Sequence, residues 1–224
     1  MPVPDRRLDR LVHPPVGGGK PDSVVVLLHG LGANGEDLLG LAPFWAERLP
    51  TTEFVAPDAP EPCDMAPFGF QWFSLQDRNP LTMMRGVTVA APVLDGFLDE
   101  ILAERGLDGS RLALVGFSQG TMMSLHVGLR RAVAPAAIVG YSGALLAGPE
   151  LFLQIRARPP ILLVHGDADP VVPVSALDAA AIGLRAVGLT VETERRPGLG
   201  HSIDEVGLER GAAFLESKLN PGKV

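Results

Sequence analysis

Residues Arg111-Leu-Ala-Leu-Val-Gly-Phe-Ser-Gln-Gly120 decide the fold. The first half is an apolar run suited to a strand buried on both faces, and the second half is a Gly-x-Ser-x-Gly pentapeptide. Between a strand and a helix such a pentapeptide forms a tight turn, because Gly116 and Gly120 carry no side chain to clash, and it leaves Ser118 exposed. This is the geometry of an activated serine nucleophile. Five residues cannot carry that assignment in a chain of 224 residues with 26 glycines. The flanking sequence has to supply a base, a carboxylate to orient it and donors for a developing oxyanion.

Outward from this turn, short apolar runs alternate with longer mixed segments. Strands are predicted over 24–29, 53–56, 111–117, 136–141, 160–165 and 190–195, with a further amino-terminal strand over 7–12. Helices are predicted over 36–47, 82–104, 119–131, 175–187 and 204–218, the last from the spacing of Val206, Leu208, Ala212, Phe214 and Leu215. The alternation predicts an α/β protein with a mostly parallel central sheet and helices on both faces. The length suits one domain spanning residues 1–224. One segment interrupts the pattern. From Pro57 to Pro80 five prolines accompany Met65, Phe68, Phe70, Trp72 and Phe73, which predicts an irregular loop that buries its own aromatics or walls a substrate site.

Composition narrows the setting. Hydrophobic residues make up 46% of the chain and charged residues 20%, the balance of a compact globular protein. A net charge of -7 argues against broad binding to nucleic acid. The single Cys63 excludes an internal disulfide and a cysteine metal cluster and points to a reducing, cytoplasmic compartment. Residues 1–7 carry charge with no apolar run behind them, unlike a secretory signal, and no apolar stretch approaches the roughly 18 residues needed for membrane insertion.

Of five histidines, His201 is the best candidate base. It stands in Pro197-Gly-Leu-Gly-His-Ser202 between the last strand and last helix, where open α/β sheets place their sites. His126 lies about 12 Å along the helix from Ser118, His13 falls in a weakly patterned region, and His29 and His165 end buried strands and suit local hydrogen bonding. After His165 comes Gly166-Asp-Ala-Asp-Pro-Val-Val-Pro173. Asp169, followed by a rigid proline, suits a carboxylate aimed at another loop, whereas Asp167 suits bracing the turn. Ser118, Asp169 and His201 thus occur in the chain order of an α/β-hydrolase. For the oxyanion, the backbone N–H of Gln119 lies at a helix amino terminus, and the glycine-rich His29-Gly-Leu-Gly32 offers that of Leu31.

A competing pattern overlaps the donor loop. Gly30-Leu-Gly-Ala-Asn-Gly35 satisfies Gly-x-Gly-x-x-Gly after a strand, with Asp58 as a candidate ribose ligand, and would make the chain a dinucleotide-binding oxidoreductase. Glu36 and Asp37 place negative charge where the pyrophosphate would sit, and Asp58 comes 28 positions after Gly30 instead of about 20. Gly17-Gly-Gly-Lys20, followed by Pro21, lacks the spacing of a phosphate loop and suits a solvated turn.

Taken in order, Leu28-His-Gly-Leu-Gly32, Trp72-Phe73, Gly116-Phe-Ser-Gln-Gly120, the 165–173 block and Gly200-His201 resemble the phospholipase/carboxylesterase family of small α/β-hydrolases, which includes the acyl-protein thioesterases. The resemblance implies Ser118, Asp169 and His201 as catalytic triad, Leu31 and Gln119 as oxyanion hole, and Trp72 beside the acyl pocket. Phe73 and Leu75 follow in the same loop as substrate-binding candidates, and Met83 and Met84 are weighed as pocket or core. The resemblance also implies no metal or organic cofactor and, as in several members, a homodimer. Ser74 departs from the Asp that many members carry there. The expected activity is a serine carboxylesterase acting on small ester or acyl substrates, thioesters and lysophospholipids included, and the non-enzymatic alternative is an α/β-hydrolase scaffold that only binds a ligand.

Overall fold

The computed structural model describes residues 7–148 and 151–220. Its main feature is a seven-stranded sheet ordered β1-β3-β2-β6-β7-β8-β9. The strands are β1 (Arg10–His13), β2 (Ser23–Leu28), β3 (Thr52–Pro57), β6 (Leu112–Phe117), β7 (Ala137–Tyr141), β8 (Ile161–Gly166) and β9 (Val191–Arg196). All neighbours run parallel except β1, which pairs antiparallel with β3 through Leu11 opposite Ala56. Alternate residues of the buried strands feed two cores. Val24, Val26, Leu28, Leu112 and Leu114 pack with residues of α3 (Pro80–Arg105), α4 (Gln119–Gly128) and α6 (Ser175–Ala186). Val25, Leu27, Ala113 and Val115 point the other way, onto α1 (Gly35–Leu39), α2 (Ala42–Ala46) and α7 (Glu205–Leu219). Apolar runs without polar alternation are what strands covered on both faces require.

Strand β2 lies between β3 and β6, so the chain order reverses beside it. A crevice opens at the carboxyl ends of β2 and β6 at such a switch point. The loops carrying Leu31 and Ser118 emerge there.

Two expectations are corrected by local chemistry. The helix predicted over 36–47 is divided into α1 and α2, because Pro43 has no N–H to continue an α-helical ladder and instead sits in the first turn of α2. The segment over 57–80 is not wholly irregular: β4 (Glu61–Pro62) and β5 (Phe70–Gln71) form a small antiparallel hairpin. Phe70 also exchanges backbone hydrogen bonds with Gly32 (2.9 Å) and Ala33 (2.8 Å), fastening the hairpin to the loop after β2. Gly69 permits this approach, since a Cβ there would lie 2.1 Å from the Gly32 carbonyl oxygen. A short α5 (Leu151–Gln154), which the sequence pattern did not announce, precedes β8.

Candidate active site

Ser118 links β6 to α4 with φ 53° and ψ -113°, a conformation that costs a non-glycine residue on the order of 1–3 kcal/mol. The surrounding structure holds it there. Ser118 N–H donates to the Tyr141 carbonyl at 2.8 Å, and Thr121 Oγ1 is 2.8 Å from the Gly116 carbonyl and 2.9 Å from that of Tyr141. The two glycines are steric necessities. A Cβ on Gly116 would come within 2.3 Å of the Gly120 backbone, and one on Gly120 within 1.8 Å of the Leu28 carbonyl oxygen.

Asp169 and His201 arrive from the ends of β8 and β9. Their loops are fastened together: Ala168 N–H donates to the Leu199 carbonyl at 3.1 Å, and Gly198 N–H donates to Asp167 Oδ1 at 2.7 Å. Asp167 therefore braces the loops, while Asp169 Oδ2 lies 2.7 Å from His201 Nδ1. Asp169 Oδ1 accepts from the Val171 and Val172 amides at 2.8 and 2.9 Å. Burial by itself would raise the Asp169 pKa, but the bonds from His201, Val172 and Val171 more than reverse this and hold the carboxyl below its ordinary value. An ionised carboxylate only accepts, so the hydrogen of this contact sits on His201 Nδ1, the tautomer in which Nε2 of a neutral ring is the acceptor. The His201 ring packs on Phe117, centroids 4.9 Å apart, and so lies beside the residue that precedes Ser118. His165 Nε2 faces the Val172 carbonyl at 2.9 Å and Asp169 Oδ2 at 3.3 Å.

Backbone donors flank the serine on two sides. The Gln119 N–H is the first of α4 and has no intrahelical acceptor. On the opposite loop, Gly32 and Ala33 commit their N–H groups to the Phe70 and Gly30 carbonyls, whereas no backbone carbonyl among the described residues accepts that of Leu31. His29 shapes this loop from beneath. It is fully buried, and its Nε2 accepts from Ala59 N–H at 2.9 Å, so Nδ1 bears the hydrogen given to the Gly30 carbonyl at 2.7 Å. Burial lowers its pKa and keeps the ring neutral.

Ser118, His201 and Leu31 line one cavity of about 390 Å³, within the usual size range for ligand pockets of roughly 300–1,000 Å³. Its walls are mainly apolar, from Leu75, Met83, Met122, Leu146 and Val171. Ser118 and His201 share the cavity without a hydrogen bond to each other. Leu75 and Met83 lie on the wall, whereas Trp72 and Phe73 are buried and do not line it. The reason is polar anchoring: Trp72 Nε1 donates to the His29 carbonyl at 3.1 Å, turning the indole inward to 2% exposure. The Gln119 side chain completes the anchor, accepting from Trp72 N–H at 2.8 Å and donating to the Phe73 carbonyl at 2.7 Å. Met84 packs against the core, and Met65, Phe68 and Leu81 are exposed outside the cavity. The sequence reading missed Met122, Leu146 and Val171, which come from three separate segments with no shared motif.

The dinucleotide alternative meets an occupied helix terminus. Asn34 and Asp37 cap α1 reciprocally, and Asp58 Oδ1 accepts from Gly35 N–H at 2.7 Å. Three side chains thus take the donors a pyrophosphate would need, and Asp58 is not free for a ribose. Among the described residues no group of three or more His, Cys, Asp or Glu side chains is placed to hold a metal ion.

Serine, aspartate and histidine, in that chain order and each on a loop at the carboxyl end of a parallel strand, define the α/β-hydrolase class. Comparison with known proteins narrows the class: residues 16–219 match the profile of the phospholipase/carboxylesterase family, and the chain belongs to that family of ester-cleaving hydrolases. It is 27% identical over 218 residues to acyl-protein thioesterase 1 of Gibberella zeae, covering 89% of this chain and 92% of the relative. It is 30% identical over 197 residues to acyl-protein thioesterase 1 of Schizosaccharomyces pombe, covering 81% and 84%. The crystal structure of esterase PE8 superposes with a TM-score of 0.91 at 42% identity, covering 96% of this chain and all of that one. No helix among the described residues is long and apolar enough to cross a membrane.

Proposed function

We propose that the chain is a serine carboxylesterase that cleaves carboxylic esters through an acyl-Ser118 intermediate, with acyl thioesters and lysophospholipids as further substrate classes. The observation that supports this most is the 2.7 Å Asp169–His201 pair opening, with Ser118, onto an apolar cavity. In this reading Ser118 Oγ attacks the carbonyl carbon, and His201 Nε2 takes the hydroxyl proton as the bond forms. The Leu31 and Gln119 N–H groups stabilise the oxyanion. The tetrahedral intermediate collapses as His201 gives its proton to the leaving alkoxide or thiolate. Water, deprotonated by His201, then attacks the acyl-serine, and collapse of the second intermediate releases the acid and restores Ser118. Asp169 keeps the Nδ1–H tautomer and stabilises the imidazolium in both halves.

Paired 4-nitrophenyl ester and acyl-thioester series of increasing acyl length test the reading. Ser118→Ala should stay folded and lose roughly 10⁵–10⁶-fold in kcat on every substrate the native chain cleaves. Retention of most of that activity would overturn it.

A further inference from the structure

Among the described residues, Arg78 is the one side chain on the cavity wall with a permanent charge. It extends from an exposed turn just before α3, and that turn is braced without it. Asp77 Oδ1 accepts from Asn79 N–H at 2.9 Å, Asp77 Oδ2 from Thr82 Oγ1 at 2.8 Å, and Asn79 Oδ1 from Leu81 N–H at 2.9 Å. Both oxygens of the adjacent carboxylate are thus engaged within the turn, and the first two of those bonds hold the Asp77 pKa below its ordinary value. Asp77 stays anionic beside Arg78 and offsets part of its field without pairing with it. Several other arginines meet carboxylates: Arg10 pairs with Glu104, Arg48 with Glu216, Arg105 with Glu53, Arg131 with Asp95 and Asp99, and Arg196 with Asp204; the Arg85 and Arg156 side chains share the unpaired state of Arg78 among the described residues but do not line the cavity. Arg78 has no hydrogen bond or ion pair among the described residues.

A guanidinium offers a planar fork of donors that matches the two oxygens of a carboxylate. Leu75 and Met83, which flank Arg78 in sequence, line the same cavity, so an acyl chain packed on them shares that cavity with a cation. Resting on the proposed acyl-serine chemistry, we infer that Arg78 is a specificity-determining residue that selects acyl groups ending in an oxyanion, namely half-esters or thioesters of dicarboxylic acids. The apolar wall takes the methylene chain, and Arg78 receives the distal carboxylate. The reacting carbonyl stays at Ser118.

The test compares 4-nitrophenyl hydrogen pimelate, whose chain is too long for ready internal anhydride formation, with its methyl ester, so that leaving group and acyl chain length are constant while the distal carboxylate is free or capped. The quantity read is the ratio of kcat/KM for the charged over the neutral substrate. Arg78→Gln should lower this ratio roughly ten- to a hundredfold, the scale of one charge-assisted hydrogen bond. Arg78→Glu should lower it further, and Arg78→Lys should keep part of it. In the native chain the ratio should fall as sodium chloride is raised, because the contact is partly open to solvent. A ratio that stays the same across Gln, Lys and Glu overturns the inference while leaving the serine chemistry intact. A native chain that cleaves neither substrate overturns both.

Discussion

Replacing Asp169 with asparagine changes one carboxylate oxygen to an amide nitrogen and nearly nothing in volume. Asp169 now accepts on both oxygens: Oδ1 from the Val171 and Val172 amides, Oδ2 from His201 Nδ1. Asparagine has a single oxygen. Turned toward His201, its NH₂ would face two backbone N–H groups and leave both unpaired, at about 1–3 kcal/mol each. Turned toward the two amides, it saves both and presents NH₂ to His201 Nδ1. The second orientation is favoured, and it forces the imidazole into the tautomer with its hydrogen on Nε2. That ring cannot take the Ser118 proton. The expected loss in kcat is about 10⁴-fold, the scale seen for the same exchange in a chymotrypsin-type triad, or about 5.5 kcal/mol of barrier. Hydrolysis of 4-nitrophenyl butyrate measures it, with thermal unfolding to establish a native fold. Asp167→Asn is the control: its bond from Gly198 N–H at 2.7 Å can be kept by an amide oxygen, so activity should stay within about tenfold of native. A folded Asp169→Asn chain that loses less than about a hundredfold would refute the tautomer argument.

Two further perturbations probe the frame. Gly120→Ala sets a methyl 1.8 Å from the Leu28 carbonyl oxygen, so it should destabilise the fold by more than about 4 kcal/mol or prevent soluble expression; a native-like urea midpoint would contradict this. His126 is buried, leaves Nδ1 unpartnered and has its pKa pushed down from 6.5 to about 4, by burial first and then by Arg130. Since the unfolded chain binds this proton more readily, the stability from a neutral His126 is complete above pH 6.5 and lost as pH falls toward 4. After discounting for partial solvent access, native stability should fall by about 2 kcal/mol more than that of His126→Gln over this range, by urea titration at each pH.

The parts legible in the sequence were those imposed by chain-local constraints. A serine on a strained turn needs glycines two positions to either side, and a parallel sheet needs strands without polar alternation, so Gly116, Gly120 and the β6 run are read directly. The Asp167 and Asp169 choice was legible because a rigid Pro170 follows the second. The cavity wall was not. Leu75, Leu146 and Val171 come from three loops and Met122 from α4, they meet only where these converge on one cavity, and no spacing rule relates them. Aromatic character did not reveal the orientation of Trp72: a buried indole N–H needs an acceptor, and the His29 carbonyl supplies it from inside. The Gln119 side chain ties the hairpin loop to the serine turn through its amide, a contact between segments 46 and 47 residues apart that no local pattern announces.

The nucleophile itself can be counted. Treating the native chain with an excess of a fluorophosphonate, then measuring intact mass and mapping the modified peptide, asks which hydroxyl the site activates. One phosphonyl group per chain is expected, carried on Ser118, with esterase activity lost in proportion to labelling. No labelling, or labelling of another serine while Ser118 stays free and activity falls, would contradict this.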